Sequence, residues 1–523
     1  MRMRPWNVLA VMLLGFLRAF SAGAQDCPDR PVTGSVVENP YSIASRNGVL
    51  TATLSMARSV DSHGYTHYCY KYNAGGQVVE APTLRLNPGD RLNLRVVNNI
   101  QDNDSKNLKM KSGERAVCGD VGAETVDSTN VHFHGLNIPP VCHQDDVINT
   151  LIQPGSPGFQ YSIQIPSTEP PGLYWYHPHV HGFTEFQVNG GAAGAIVIEG
   201  MEKYRPEVKG LTERIFLIRQ QYLVPWIPGP YELTLNYVLT PTPRLVSAMP
   251  TIQMHAGQKE FWRVANASLQ DFLQLQVIQN DEPTPLELIA LDGYPLAQTR
   301  LENTILIPPA GRAEFIVKAP DAGASATLDT EGYYTGPTGN PDYTAVLANI
   351  QVLSGGQTAQ RQTPPAPALA STLMFSDLHN QAVTARRKLY FSEEFGGTNG
   401  PIQFYITVDG QTPKVFDPDE KPVITTKVGA VEDWTIENRA LETHAFHIHQ
   451  IHFQVLEVNG EPVADHDLRD TIEIPYWSGK GPYPSVKVRM DFRDPAIAGT
   501  FLFHCHILLH EDLGMMHKIL VEP

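Results

Sequence analysis

Three stretches of this chain align without a gap: PTLRLNPGDRLNLRVVNNI from Pro82, PTIQMHAGQKEFWRVANAS from Pro250 and PVITTKVGAVEDWTIENRA from Pro422. Pro, Gly and Asn recur in register at Pro82, Gly89 and Asn98, at Pro250, Gly257 and Asn266, and at Pro422, Gly429 and Asn438. The copies start 168 and 172 residues apart, so the repeated unit has the size of a domain and is no short solenoid repeat. Within each copy, alternation such as LRL, a glycine turn, and alternation such as NLRVV read as strand, turn, strand. The expected arrangement is a sheet edge that turns back on itself. Triplication of one β-domain accounts for all three copies.

The chain's 523 residues agree with about three domains. Its 42 prolines and 41 glycines are spread along it, which suits many short strands joined by turns better than long helices. We expect an all-β chain of three consecutive Greek-key β-sandwich domains. The first runs over residues 40–200, enlarged by the polar insertion DNDSKNLKMKSGERAVCGDVGAET, and the second over 208–355. A linker rich in Gln, Pro, Ala and Ser occupies 356–384, and the third domain 385–523.

The N-terminus is basic (MRMRP), then apolar (WNVLAVMLLGFL), then small (SAGA), the layout of a signal peptide ending at Ala24. Its apolar run is too short to span a membrane, and no later stretch reaches 18 uninterrupted apolar residues. Export to an oxidising compartment follows, secreted or periplasmic. Removal of Arg2, Arg4 and Arg18 takes the formal charge from −16 to −19. Such an acidic chain repels polyanions and carries no basic stripe, so nucleic acid is no expected partner. Four of the five cysteines, Cys27, Cys69, Cys118 and Cys142, suggest two disulfides with three pairings open. Cys505 is left over, and a metal bond would protect its thiol. Asn103 and Asn266 head glycosylation sequons, relevant only in a eukaryotic host.

Ten of the 19 histidines fall in four clusters, each containing His-x-His, with His181 behind the second. VHFHG holds His132 and His134, and WYHPHVHG holds His177 and His179. HAFHIHQ holds His444, His447 and His449, and HCHILLH holds His504, His506 and His510. Side chains alternate along a strand, so both imidazoles of His-x-His point the same way. Four pairs supply eight nitrogen ligands, enough for two or three metal ions of the kind imidazole binds. In FHCHI, Cys505 faces away from His504 and His506 and can hold a different metal. His510 and Met515 reach back to it, and His444 completes a His₂Cys set with a weak thioether, the ligand set of a blue-copper centre.

These motifs, in this order, resemble the multicopper oxidase family, of which laccases are the best-known members. The resemblance covers nearly the whole chain after residue 24, since that family has three cupredoxin-like domains. It implies four copper ions. Type 1 copper would take His444, Cys505, His510 and axial Met515. Type 2 copper would take His132 and His447, and the type 3 pair His134, His177, His179, His449, His504 and His506. It also implies that a small reducing substrate gives up one electron at a time near His510, and that the electrons pass through Cys505 to the trinuclear cluster, where dioxygen becomes two waters. Glu511 and Asp145 are the implied proton-relay acids, with the neighbouring Asp146 an alternative to Asp145. Phenols and aromatic amines come first as substrates. Oxidation of Cu(I), Fe(II) or Mn(II) comes second, and the 12 methionines form no run, which counts against a cuprous oxidase. A non-enzymatic copper carrier is the third reading, disfavoured because a carrier needs no trinuclear cluster.

Overall fold

The structure is a computed structural model that describes residues 27–61, 64–101, 118–222, 231–241, 248–353, 373–395, 402–464 and 467–523. The expected leader, Asn103 and most of the polar insertion lie outside the described residues. Three β-sandwiches follow one another, with strands over residues 42–198, 212–353 and 385–522. Among the described residues, the first sets a five-stranded sheet on a five-stranded one, the second seven strands on six, and the third seven on five. Alternation makes each core. Along Val49–Val60, for example, Leu50, Ala52, Leu54 and Met56 point inward, onto Leu92, Leu94 and Val96 of the same sheet and Leu84 and Leu86 of the facing one.

The repeat occupies equivalent places in all three sandwiches. Thr83–Leu86, Thr251–His255 and Ile424–Lys427 each pair in parallel with a later strand, Gly194–Ile198, Ala345–Leu353 and Met516–Glu522. The second halves, Arg91–Asn98, Lys259–Ala267 and Ala430–Asn438, lie in the opposing sheet, parallel to Val49–Val60, Thr212–Tyr222 and Ala385–Phe395. The expected sheet edge turning back on itself is thereby corrected. Each repeat is a corner at which the chain leaves one sheet for the other. A period of two in the side chains is common to both arrangements, and the partners that decide between them are distant in sequence. Gly89, Gly257 and Gly429 make the corner at φ of 88°, 68° and 96°, where a Cβ is strained.

The recurring asparagine closes each unit in one way. Asn98 donates from Nδ2 to the carbonyls of Asp127 and Ile152, Asn266 to those of Asp271 and Ile307, and Asn438 to those of Glu442 and Ile474. The Oδ1 atoms accept from the backbone N–H two residues on, at Ile100, Ser268 and Ala440. All three side chains are fully buried, so these bonds satisfy backbone groups that water cannot reach. The sequon at Asn266 is sealed by the same bonds.

Cys27 bonds to Cys69, and Cys118 to Cys142, while Cys505 is a free buried thiol. The second bridge ties the short ribbon Cys118–Gly119 and Thr150–Leu151 to the loop that carries Asp145. Of the expected linker, residues 356–372 lie outside the described residues, and beyond them Phe375 and Leu378 pack into the third core.

Truncating an asparagine clamp strands two buried carbonyls and one N–H. Asn438→Ala is expected to lower stability by on the order of 3 kcal/mol, read as a shift in the chemical-denaturation midpoint.

Candidate metal centres

The histidine pairs lie on corresponding strands of the first and third sandwiches. In the first, His132–His134 pairs antiparallel with Gly172–His177, setting Trp175 opposite His134 and His177 opposite His132. In the third, His444–Ile448 pairs antiparallel with Gly499–Cys505, setting Cys505 opposite Phe446 and His504 opposite His447. Phe133, Tyr174 and Tyr176 face the first core, so the histidines between them face outward. Phe501, Phe503 and Cys505 face the third core, whereas Leu502 meets Val147 of the first sandwich and His504 meets His179. The two outward faces close on each other, and eight imidazoles fill the join.

Three of the eight stand just beyond a strand and are held through their own backbone N–H, His449 by donating to Leu502 O at 3.0 Å. His179 donates its N–H to Asn130 Oδ1 at 2.6 Å, and His506 donates to Ala445 O at 2.7 Å. Ring centroids of His132 and His449 are 3.9 Å apart, and those of His134 and His447 4.0 Å, each pair stacked across the join. His506 lies 5.1 Å from His134, 5.5 Å from His177 and 5.3 Å from His504. Nitrogens of His179, His449 and His504 converge within 4.8 Å, as do those of His132, His134 and His177, and those of His132, His447 and His449.

Burial lowers all eight pKa values, His504 to about 4 and His177 to about 3, so the rings are neutral at pH 7. Four Nδ1 atoms have fixed partners: Asp145 for His132 (3.0 Å), and the carbonyls of Pro178 for His177 (2.9 Å), Asp470 for His447 (2.8 Å) and Cys505 for His504 (3.0 Å). Those bonds leave Nε2 as the lone-pair nitrogen. Nε2 of His132, His177 and His447 and both nitrogens of His134 and His506 have no hydrogen-bond partner among the described residues. Buried, neutral, unpaired imidazole nitrogens aimed at one another are a donor set for metal ions and are costly otherwise.

The second centre lies inside the third sandwich. Cys505 Sγ is 3.6 Å from His444 Nδ1 and 3.8 Å from His510 Nδ1. The step of three from His444 to His447 sends the two rings to opposite faces, one to each centre. Met515 is buried in the same core as Cys505, whose N–H bonds to its carbonyl, while Met516 turns the other way, onto Val147, Phe416 and Leu502. Phe404 stacks on His510 at 4.0 Å and Phe391 on His444 at 4.9 Å.

The acids separate clearly. Asp145 is buried against His132 and accepts from Phe133 N–H and Gln450 Nε2; burial pushes its pKa up to about 8. Asp146 instead accepts from the backbone and side chain of Asn149, in a turn. Glu511 lies 3.3 Å from His504 Nδ1 and 3.5 Å from His179 Nε2, one histidine from each sandwich, and burial, then Asp512, raises its pKa strongly.

Four charged residues had no signal in the sequence. Glu393 Oε1 lies 3.4 Å from His444 Nε2, and Glu442 Oε2 lies 3.6 Å from His510 Nε2. Burial, then the charge and hydrogen bond of Glu393, pushes the Glu442 pKa up to about 9. Asp470 joins His134 and His447, and Arg312 of the second sandwich pairs with it. None of the four belongs to a histidine motif, and tertiary packing alone brings them in. No metal-ligating group among the described residues draws on the second sandwich.

Profiles of the family described as "Multicopper oxidase" match residues 105–203, 174–327 and 396–523. The chain is 25% identical over 491 residues to the Staphylococcus aureus protein "Multicopper oxidase mco", covering 88% of this chain and 90% of that one. It is 23% identical to a Bacillus subtilis laccase over 75% of this chain and 79% of that one. A Campylobacter jejuni multicopper oxidase described as a metallo-oxidase superposes with a TM-score of 0.68 at 23% identity, over 94% of this chain and 96% of that one. Aquifex aeolicus McoA superposes with a TM-score of 0.69 at 19% identity, over 94% and 99%.

Burial raises the Cys505 pKa far above neutrality, opposed only in part by backbone bonds from Ile507 and Ala445, so the thiol is protonated at pH 7. A metal ion binds the thiolate, whereas the cluster imidazoles have no proton to lose from their ligating nitrogens. Loading with Cu(II) at pH 7 is expected to release about one proton more from the native chain than from Cys505→Ser, measured by calorimetry in buffers of differing ionisation enthalpy.

Proposed function

We propose that this chain, which belongs to the multicopper oxidase family, oxidises a reduced metal ion and passes the electrons to dioxygen. It is a copper-dependent oxidoreductase with a cupredoxin-like fold and O₂ as acceptor. The further proposal is the ligand set: His444, Cys505, His510 and Met515 for type 1 copper, His132 and His447 for type 2, and the six other cluster histidines for the type 3 pair. Ten imidazoles, one thiol and one thioether supply donors enough for four ions. When bound, copper supplies the one-electron steps and the binding of dioxygen.

The observation that carries the substrate reading is the acid pair. Glu393 and Glu442 each touch the outer nitrogen of a Cys505-site imidazole and hydrogen-bond each other, both largely buried. Two buried carboxyls in contact repel when ionised, and a cation between them removes that repulsion. The held ion is then one imidazole away from the thiolate site. His444 and His510 orient its electron path, and Cys505 joins that path through its backbone to His504 and His506. Asp145 and Glu511 hold protons at the cluster that water formation consumes. The expected leader, with disulfides Cys27–Cys69 and Cys118–Cys142, supports export to an oxidising compartment.

Phenols and aromatic amines are the second reading, favoured by Tyr334, which is 59% exposed and packs edge-on to Tyr476. Their loop segments lie beside Glu442: Thr443 N–H donates to Thr335 O at 2.6 Å and Tyr476 N–H to Thr443 Oγ1 at 3.2 Å.

Oxygen uptake decides between them. Glu442→Gln and Glu393→Gln are expected to raise KM for Fe(II), Cu(I) or Mn(II) by about tenfold or more, the loss of one close charge pair, with phenol turnover little changed. Rapid phenol oxidation by the native chain, lost in Tyr334→Ala and indifferent to both glutamates, would reverse the assignment.

A further inference from the structure

We propose that Arg312 of the second sandwich is a positioning residue for the cluster histidines His447 and His134, acting through Asp470. The inference rests on the cluster assignment above and gives the ligand-free sandwich a part in the metal site.

The guanidinium is fully buried and its N–H groups are all engaged. Nη1 donates to Asp470 Oδ1 at 2.7 Å and Ala310 O at 3.3 Å; Nη2 donates to Asp470 Oδ2 at 2.6 Å and Asp292 O at 2.8 Å; Nε donates to Leu173 O at 3.3 Å. Asp292, also from the second sandwich, takes the backbone of the same segment. Its Oδ2 accepts from Asp470 and Thr471 N–H, both at 3.2 Å, and its Oδ1 accepts from Arg312 N–H at 2.8 Å. Arg312 and Asp292 thus clamp Asp470 by side chain and main chain at once from the neighbouring sandwich.

What is clamped faces the cluster. Asp470 O accepts from His447 Nδ1 at 2.8 Å, which fixes the tautomer and turns Nε2 toward the join. Its carboxylate Oδ1 lies 3.5 Å from His134 Nε2 and also accepts from Thr471 Oγ1 at 2.8 Å, a hydroxyl 3.2 Å from His447 Nδ1. Gly135, next to His134, sits where a Cβ would collide with Arg312 Nη2, Asp470 Oδ2 and Tyr174, so the HFHG turn is shaped around this pair. As sandwich glue, a buried Arg–Asp pair is a poor choice, since an apolar contact of equal volume is often no less stable. Beside a copper-loaded cluster, a carboxylate held by a bidentate fork fixes the ring planes that pack on it.

The test uses the copper-loaded full chain as native protein, Arg312→Gln, Arg312→Lys and Asp470→Asn. The readouts are copper retention against a chelator, the electron paramagnetic resonance of the cluster's mononuclear copper, and the blue colour of the Cys505 site. Arg312→Gln is expected to weaken cluster copper about 10- to 100-fold and to shift its resonance, with the colour unchanged. Arg312→Lys should restore part of the affinity, because it keeps the charge and loses the fork. Native retention and resonance in Arg312→Gln, even with a lowered melting temperature, would overturn the inference. Should Arg312→Gln fail to fold, the near-isosteric Asp470→Asn decides by the same criteria. Native protein with a blue site and no cluster copper would instead overturn the ligand assignment, and this inference with it.

Discussion

Neighbouring residues on an extended backbone point to opposite sides, and both centres depend on that one fact. Within the strand Gly499–Cys505, Cys505 turns into the third core and His504 turns out toward the first sandwich. The paired strand His444–Ile448 repeats the division, with His444 inward beside the sulfur and His447 outward beside His504. A single peptide bond therefore joins a thiolate site in a sandwich interior to a histidine cluster between two sandwiches. Shifting either strand by one residue would exchange the faces and abolish both sites.

Packing outward faces together creates an electrostatic problem that the chain solves by keeping everything neutral. Eight charged imidazoles in one dry join would repel strongly, and burial lowers their pKa values instead. Burial has the opposite effect on Asp145 and Glu511, which it keeps protonated beside those rings. The same desolvation thus prepares lone pairs for metal ions and stores protons next to them. Arg312 with Asp470 is the exception, a charged pair satisfied on every side and placed where positive charge would gather.

Much of the site was legible in local spacing. His132 and His134 share one strand as alternation requires, the other three pairs start on a strand and finish just past its end, and Met515 rather than Met516 shares the Cys505 core because the two face oppositely. Asp145 and Asp146 were indistinguishable as letters, and only the approach of His132 to one and Asn149 to the other separates them. Glu393 and Glu442 belong to no motif; they meet because the strand Ala385–Phe395 and the turn before His444 converge on the thiolate site. The repeat announced three equivalent units, while the reading of each as a folded-back edge gave way to a corner between sheets.

Which side chains share a face, and how many equivalent β-units there are, can be read from the residues in order, because period and repeat are properties of the local backbone. Tertiary structure alone decided which faces meet, which acids stand against which imidazoles, and that the second sandwich reaches the cluster through Arg312. Those choices rest on contacts between segments that sequence does not place together, among them His179 with His504 and Arg312 with Asp470, where burial and hydrogen bonding select one arrangement among several that the same alternation allows.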